Sequence, residues 1–243
     1  MVIACANQLE PHAFREQRPS GAPQPASPHH APDHGGIITS LHIFARNEEI
    51  YGEGEDAHYW YRVVSGTVRS CNLLADGRRH VAEFFFPNDF FGFRAEERYL
   101  TSAEAVDEVI LTRYPSAALK HLSQTNPNLA RWLHELAARN LAETSSRMVL
   151  LARKTAHERV ASFLLDLADR TNSGRRVALP MARHDIADHL GLTYETVCRV
   201  ISKMKRSGTI KVLEDAHQIE LVDCLSLEIM RAGGGQARDA AAA

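Results

Sequence analysis

Long apolar runs, cysteine clusters and an excess of positive charge are all missing from this 243-residue sequence, and each absence removes a class of function. The most apolar short stretch, Phe84-Phe85-Phe86, is closed by Pro87, and nothing approaches the ~18 apolar residues of a membrane-spanning helix. Cys5, Cys71, Cys198 and Cys224 stand far apart without a C-x-x-C pair. Such spacing fits neither a disulfide framework nor a zinc or iron-sulfur site, and it suits a reducing cytoplasm. A formal net charge of -2 excludes a protein that coats nucleic acid through its overall charge, so any DNA binding must be local. No nucleophile with an adjacent base, paired-carboxylate motif or phosphate-cradling glycine loop is present, so no enzyme is expected. A cupin-type metal enzyme is the outside alternative for a small barrel, but no His-x-His followed by Glu on a strand is found.

What is there falls into blocks. Residues 1–37 hold six of the ten prolines (Pro11, Pro19, Pro23, Pro25, Pro28, Pro32) and no apolar period, as expected of a disordered tail. His29, His30 and His34 lack carboxylate or thiol partners there, so a solvated segment is expected in place of a metal site. From Ile38 to about residue 125, short β-type runs are punctuated by Gly52-Glu53-Gly54, Ser65-Gly66, Asp76-Gly77 and Pro87-Asn88-Asp89, the pattern of a small barrel. Tyr59, Tyr61 and Val63 alternate with Trp60, Arg62 and Val64 as on a strand, and Asp76-Gly77 suits a hairpin corner.

Helical spacing takes over at 126–153. Leu129, Trp132, Leu133 and Leu136 form one apolar group, and His134, Ala137, Leu141, Thr144, Met148 and Leu151 form a seam with 3-4-3-4-3 spacing. One stripe suits the barrel and the other a partner helix. His134 and Thr144 are poor coiled-coil core residues, so periodicity alone also allows a helix buried within its own domain. Thr155-Ala156-His157-Glu158 is a capping box that starts a further helix, with Val160, Phe163, Leu164 and Leu167 on one face, and Lys154/Thr155 is the natural hinge. A domain is expected over 154–228, followed by a flexible tail over 229–243.

Within that domain, residues 182–206 divide into two short helices around Gly191. Ile186, Ala187 and Leu190 face inward on the first, Gly191 permits the sharp turn, and Thr193 is a good N-cap for the second. On the second helix Val197, Val200, Ile201 and Met204 share one face, while Glu195, Cys198, Arg199 and Ser202 share another. Thr193 to Lys211 holds five basic residues against one acidic, although Thr155 to Asp223 balances ten against ten, so positive charge is concentrated where phosphates would lie. The bland alternative is that Glu195 only favours the helix dipole and pairs with Arg199 four residues on. Two strands, Thr209–Leu213 and Gln218–Val222, are expected to form a wing. The combination points to a winged helix-turn-helix that binds double-stranded DNA.

These segments, together with Thr-Ala-His-Glu-Arg at the hinge and Leu-Gly-Leu-Thr-Tyr-Glu-Thr-Val-Cys-Arg at 190–199, resemble CRP/FNR transcription regulators over residues 38–228, and the FixK branch most. The resemblance implies an α+β architecture: an N-terminal β-roll of the cyclic-nucleotide-binding type (a double-stranded β-helix), a long dimerisation helix and a C-terminal winged helix-turn-helix. It implies a homodimer paired through Ala137, Leu141, Thr144, Met148 and Leu151, acting with RNA polymerase. It also implies recognition of TTGAT-N4-ATCAA palindromes, with Arg199 on guanine, in the control of low-oxygen metabolism or nitrogen fixation. Thr193, Tyr194, Glu195, Thr196, Cys198, Arg199, Ser202, Lys203 and Arg206 are the expected DNA contacts. Cys198 departs from the family's usual serine and, lying beside Arg199 near a helix N-terminus, is a candidate redox switch.

The family's nucleotide sensors carry Phe-Gly-Glu and an Arg-Ser/Thr-Ala clasp. Here Phe91-Gly92-Phe93-Arg94 and Tyr99-Leu100-Thr101-Ser102-Ala103 stand in their place, so no cyclic nucleotide is expected. Cys5 alone ahead of the barrel does not make an iron-sulfur site, and no cofactor or metal is expected. A haem-based nitric oxide or redox sensor of the same family is the nearest alternative, which the thirteen histidines neither support nor exclude.

Overall fold

A computed structural model of the chain describes residues 37–93, 97–213 and 217–233. Cys5, His29, His30, His34 and Arg94 lie outside the described residues.

Eight strands build the N-terminal roll: β1 (Ser40–Phe44), β2 (Glu49–Tyr51), β3 (Tyr59–Ser65), β4 (Val68–Leu73), β5 (Arg79–Phe85), β6 (Phe90–Phe91), β7 (Ser102–Ala105) and β8 (Val109–Pro115). They form two antiparallel sheets, β1-β8-β3-β6 and β2-β7-β4-β5. The alternation seen at 59–64 is the reason. Tyr61 and Val63 point into the roll with Leu111 and Val109 of β8, while Trp60 lies on the outer face beside Phe93. Gly77, at φ +83, closes the β4–β5 corner beside Asp76.

Aromatic rings fill the interior. Tyr51 stacks on Tyr99 at 3.7 Å between centroids, Tyr61 on Phe91 at 5.2 Å, and Phe85 on Phe91 at 4.9 Å. Burial raises the Tyr99 hydroxyl pKa, so the hydroxyl stays protonated and donates to Tyr59 O at 2.7 Å. The polar tip of the stack is therefore satisfied.

Two helices cover the outer face of the first sheet. α1 (Ser116–Thr125) follows β8 directly, and α2 (Pro127–Arg153) begins where the Asn126 side chain accepts from the amides of Asn128 and Leu129. Leu129 and Trp132 pack with Phe90, Tyr114 and Leu119, and Leu133 and Leu136 join them, as the first apolar group of α2 suggests. The sequence reading left α1 out. Its N-cap, Pro115, offers no side chain to the helix amides, so the start carries no legible signal.

The C-terminal unit holds α3 (Ala156–Thr171), β9 (Arg176–Ala178), α4 (Arg183–Leu190), α5 (Tyr194–Arg206), β10 (Ile210–Val212), β11 (Gln218–Leu221) and α6 (Cys224–Arg231). The Thr155–Glu158 capping box forms as expected, and α3 ends on Asn172 in the left-handed conformation. Two features correct the sequence reading. The wing sheet has three strands, ordered β10-β11-β9, because Arg176–Ala178 pairs with Gln218–Glu220. The C-terminal tail begins later than residue 229, because α6 continues to Arg231, where the guanidinium pairs with Asp166 and Asp169 of α3.

Both halves share one apolar core. Val160, Leu164 and Leu167 of α3 pack with Ile186, Val197, Val200, Ile201 and Met204, and the same cluster reaches Val81, Phe84 and Phe86 of the roll. Among the described residues no helix is long and apolar enough to cross a membrane, and no group of three His, Cys, Asp or Glu side chains is placed to hold a metal ion.

Phe91 is almost wholly buried at the centre of the ring stack. Phe91→Ala is expected to cost about 3–5 kcal/mol by leaving a cavity among rings that cannot collapse, measured by urea denaturation.

Candidate nucleic-acid interface

Gly191 adopts φ +60 between α4 and α5, so the two helices meet at the sharp angle the motif requires. Thr193 caps α5, its hydroxyl accepting from the Thr196 amide at 3.2 Å. The buried face of α5 is Val197, Val200, Ile201 and Met204. The opposite face brings the proposed contacts together: Thr193, Tyr194, Glu195, Arg199, Ser202, Lys203 and Arg206 are exposed, and Thr196 and Cys198 are half-buried. Among the described residues no ion pair joins Glu195 to Arg199, and the Arg199 charge acts on the Glu195 carboxylate only as a minor electrostatic influence. Hydrogen bonding to its own backbone amide, and then to the Thr193 hydroxyl, holds the Glu195 carboxyl below its ordinary pKa, so it stays ionised as an acceptor.

Residues the sequence reading passed over surround Cys198. The Arg183 guanidinium stands 3.6 Å from its sulfur, and contact with Cys198 holds the Tyr194 hydroxyl above its ordinary pKa. His184 stacks on Tyr194 at 4.1 Å with the rings 12° apart. Both Arg183 and His184 begin α4, fifteen residues before the thiol and ten before the ring they touch. Only the fold brings them there. Cys71, in contrast, is buried in the roll, and burial pushes its thiol up to about 11.

A second cluster fixes where the reading face points. Asp185 of α4 is buried, and its carboxylate receives Arg69 of β4 at 3.0 Å and Arg79 of β5 in a very short contact. Arg69 also pairs with Glu104 of β7 at 2.7 Å, and Arg79 with Asp188 at 3.0 Å. His80 Nδ1 and His189 Nδ1 lie 3.0 Å from the carbonyls of Asp188 and Val81 respectively. At the hinge, the Arg159 guanidinium donates to the carbonyls of Lys154, Leu190 and Leu151 at 2.9–3.0 Å. A visible cue for the Asp185 cluster was Arg69, a charge placed on a strand between Val68 and Cys71.

Along α2 the seam residues Ala137, Leu141, Thr144 and Met148 are exposed, Leu141 at 70 % and Met148 at 68 %. Leu151 differs. It is half-buried at the end of α2 near Gly191.

Comparison with known proteins agrees with this arrangement. Residues 41–126 match the cyclic nucleotide-binding domain model, and residues 158–229 match the Crp-like helix-turn-helix domain model. The nitrogen fixation regulation protein FixK of Azorhizobium caulinodans is 47 % identical over 175 residues, which cover 70 % of this chain and 71 % of that protein. The chain belongs to the CRP/FNR family. Within this CRP/FNR regulator, FixK of Bradyrhizobium diazoefficiens matches at 37 % identity over 78 % of the chain and 81 % of the relative. The solved structure of FixK2 from Bradyrhizobium japonicum superposes with a TM-score of 0.77 at 38 % identity, covering 80 % of this chain and 98 % of that one. The chain is thus a FixK-like transcriptional activator with a helix-turn-helix DNA-binding domain, and its relatives are regulators, not enzymes.

Removing one partner of a buried pair strands the other, at a typical cost of ~3–5 kcal/mol. Asp185→Ala is therefore expected to destabilise the protein more than Asp188→Ala, whose carboxylate is more exposed, in side-by-side denaturation curves.

Proposed function

We propose that the chain works in the cytoplasm as a homodimeric activator that binds TTGAT-N4-ATCAA palindromes and turns on genes of low-oxygen metabolism or nitrogen fixation together with RNA polymerase. The observation that carries this reading is the Glu195–Arg199 face: both side chains are exposed without an ion pair between them, on a helix whose other face is core. Arg199 reads guanine at two acceptors, Glu195 accepts from a base amino group, and Cys198 supplies the weaker third contact. Thr193, Tyr194, Thr196, Ser202, Lys203 and Arg206 hold the phosphates and fix the register. Pairing runs through Ala137, Leu141, Thr144, Met148 and Leu151. Exposed Leu141 and Met148 side chains on one helix stripe support it. The ring stack that occupies the roll interior supports activity without a cyclic nucleotide there.

A second reading concerns Cys198, whose half-exposed sulfur lies on the reading face beside Arg183. Oxidation would place a larger, more polar group against the bases. Peroxide treatment is expected to weaken palindrome binding in the parent and not in Cys198→Ser. Unchanged affinity with Cys198 shown oxidised by mass spectrometry would remove the switch.

Arg199→Ala is expected to lose ~1–3 kcal/mol per half-site in a mobility-shift assay and to relax selectivity at the guanine. Binding of the TTGAT palindrome at parental strength would overturn the assignment. Leu141→Glu with Met148→Glu is expected to yield monomers in sedimentation and to abolish binding to the full palindrome.

A further inference from the structure

Where the roll, α2 and the DNA-binding unit meet, they line a half-open cavity of about 600 Å³. Phe84, Phe163, Leu150 and Leu167 supply its apolar lining. Most of the charge on its walls is already matched. Glu83 faces Arg147 at 3.4 Å and Arg170 at 3.9 Å, and Arg231 faces Asp166 at 2.8 Å.

Besides Glu143, an exposed carboxylate of α2 with no ion pair among the described residues, two lining groups are left over. His189 Nδ1 lies 3.0 Å from the Val81 carbonyl, which can only accept, so the ring proton is on Nδ1 and Nε2 keeps a bare lone pair. Burial, assisted by nearby Arg147, holds the imidazole down to about 3, so it stays neutral, and no hydrogen bond reaches Nε2 among the described residues. Lys154 is the second. Its ammonium donates to Ser162 Oγ at 2.8 Å and makes no ion pair among the described residues, its charge reaching the Asp166 carboxylate only at longer range behind the Arg231 pair.

We propose that this cavity is an effector site for a small organic acid: an apolar body over the phenylalanine and leucine side chains, an O–H or N–H donor for His189 Nε2, and an anionic end for Lys154. The volume lies in the range of ordinary small-molecule pockets, ~300–1,000 Å³. A neutral imidazole with its proton committed elsewhere selects a donor, and a half-buried ammonium that makes no ion pair selects an anion. The lining comes from β5 and its following turn, α2, α3, α4 and α6, so an occupant touches both the roll and the unit that carries the recognition helix. It shifts the equilibrium between arrangements of the two wherever it binds one arrangement better.

The probe is 6-(p-toluidino)-2-naphthalenesulfonate, which combines an aromatic body, an N–H donor and a remote anion, titrated by fluorescence into the full-length protein without DNA. The expected result is saturation at one probe per chain, weakened about tenfold by Lys154→Ala, retained by Lys154→Arg and lost in Ser146→Trp, which fills the cavity from the exposed side of α2. His189→Phe is expected to weaken it as well, with a thermal melt checking its fold. Absence of saturable binding to the parent, or binding unaltered in both Lys154→Ala and Ser146→Trp, overturns the proposal, the latter marking adsorption to the exposed seam of α2. A palindrome mobility shift on the same parent sample keeps the outcome separate from the DNA-binding reading.

Discussion

Arg69 is 8 % exposed, and a guanidinium that far out of water must be paired. Its partners come from two domains, Glu104 in the roll and Asp185 at the start of the helix-turn-helix. That requirement ties the orientation of α4 to the β4–β5 hairpin, and α4 sets α5 through the turn at Gly191. Apolar contacts supply most of the adhesion, since Phe84 and Phe86 belong to the same core as α3 to α5. Apolar burial is non-directional, however. The carboxylate and guanidinium geometry selects one docking angle among the several that the apolar surfaces would accept.

The recognition helix divides its labour by period. Residues at 197, 200, 201 and 204 are spent on the core, which leaves positions 195, 198, 199 and 202 for whatever lies outside. The domain as a whole is not basic. Charge is instead arranged locally, with Lys203, Lys205 and Arg206 in the last turn, where they also complement the helix dipole. The basic side chains therefore gather at the C-terminal end of α5, while Glu195 stands in its first turn.

Much of this was readable in advance because the signals were local. The capping box at Thr155, the left-handed Gly191, the alternation of Tyr59 to Val64 and the face of α5 each depend on residues within a few positions of one another. What escaped was either unsignalled or non-local. α1 starts at a proline without a capping side chain, and β9 is three residues long and exists only because β11 arrives from forty residues downstream. Asp185 reads as a helix-start residue, and its carboxylate does lie 3.3 Å from the Ala182 amide, but its ion pairs span more than one hundred positions. Arg183 and His184 escaped at shorter range, since their partners on α5 lie across the turn at Gly191 and are unmarked in sequence.

Arg159 gathers carbonyls from the C-terminal ends of two helices, Leu151 and Lys154 closing α2 and Leu190 closing α4. Those ends carry the negative poles of their backbone dipoles, so one cation neutralises both and clamps their axes together. The end of the long helix and the turn beside Gly191 are thereby held by a single side chain, so the position of α5 is set from α2 through one guanidinium.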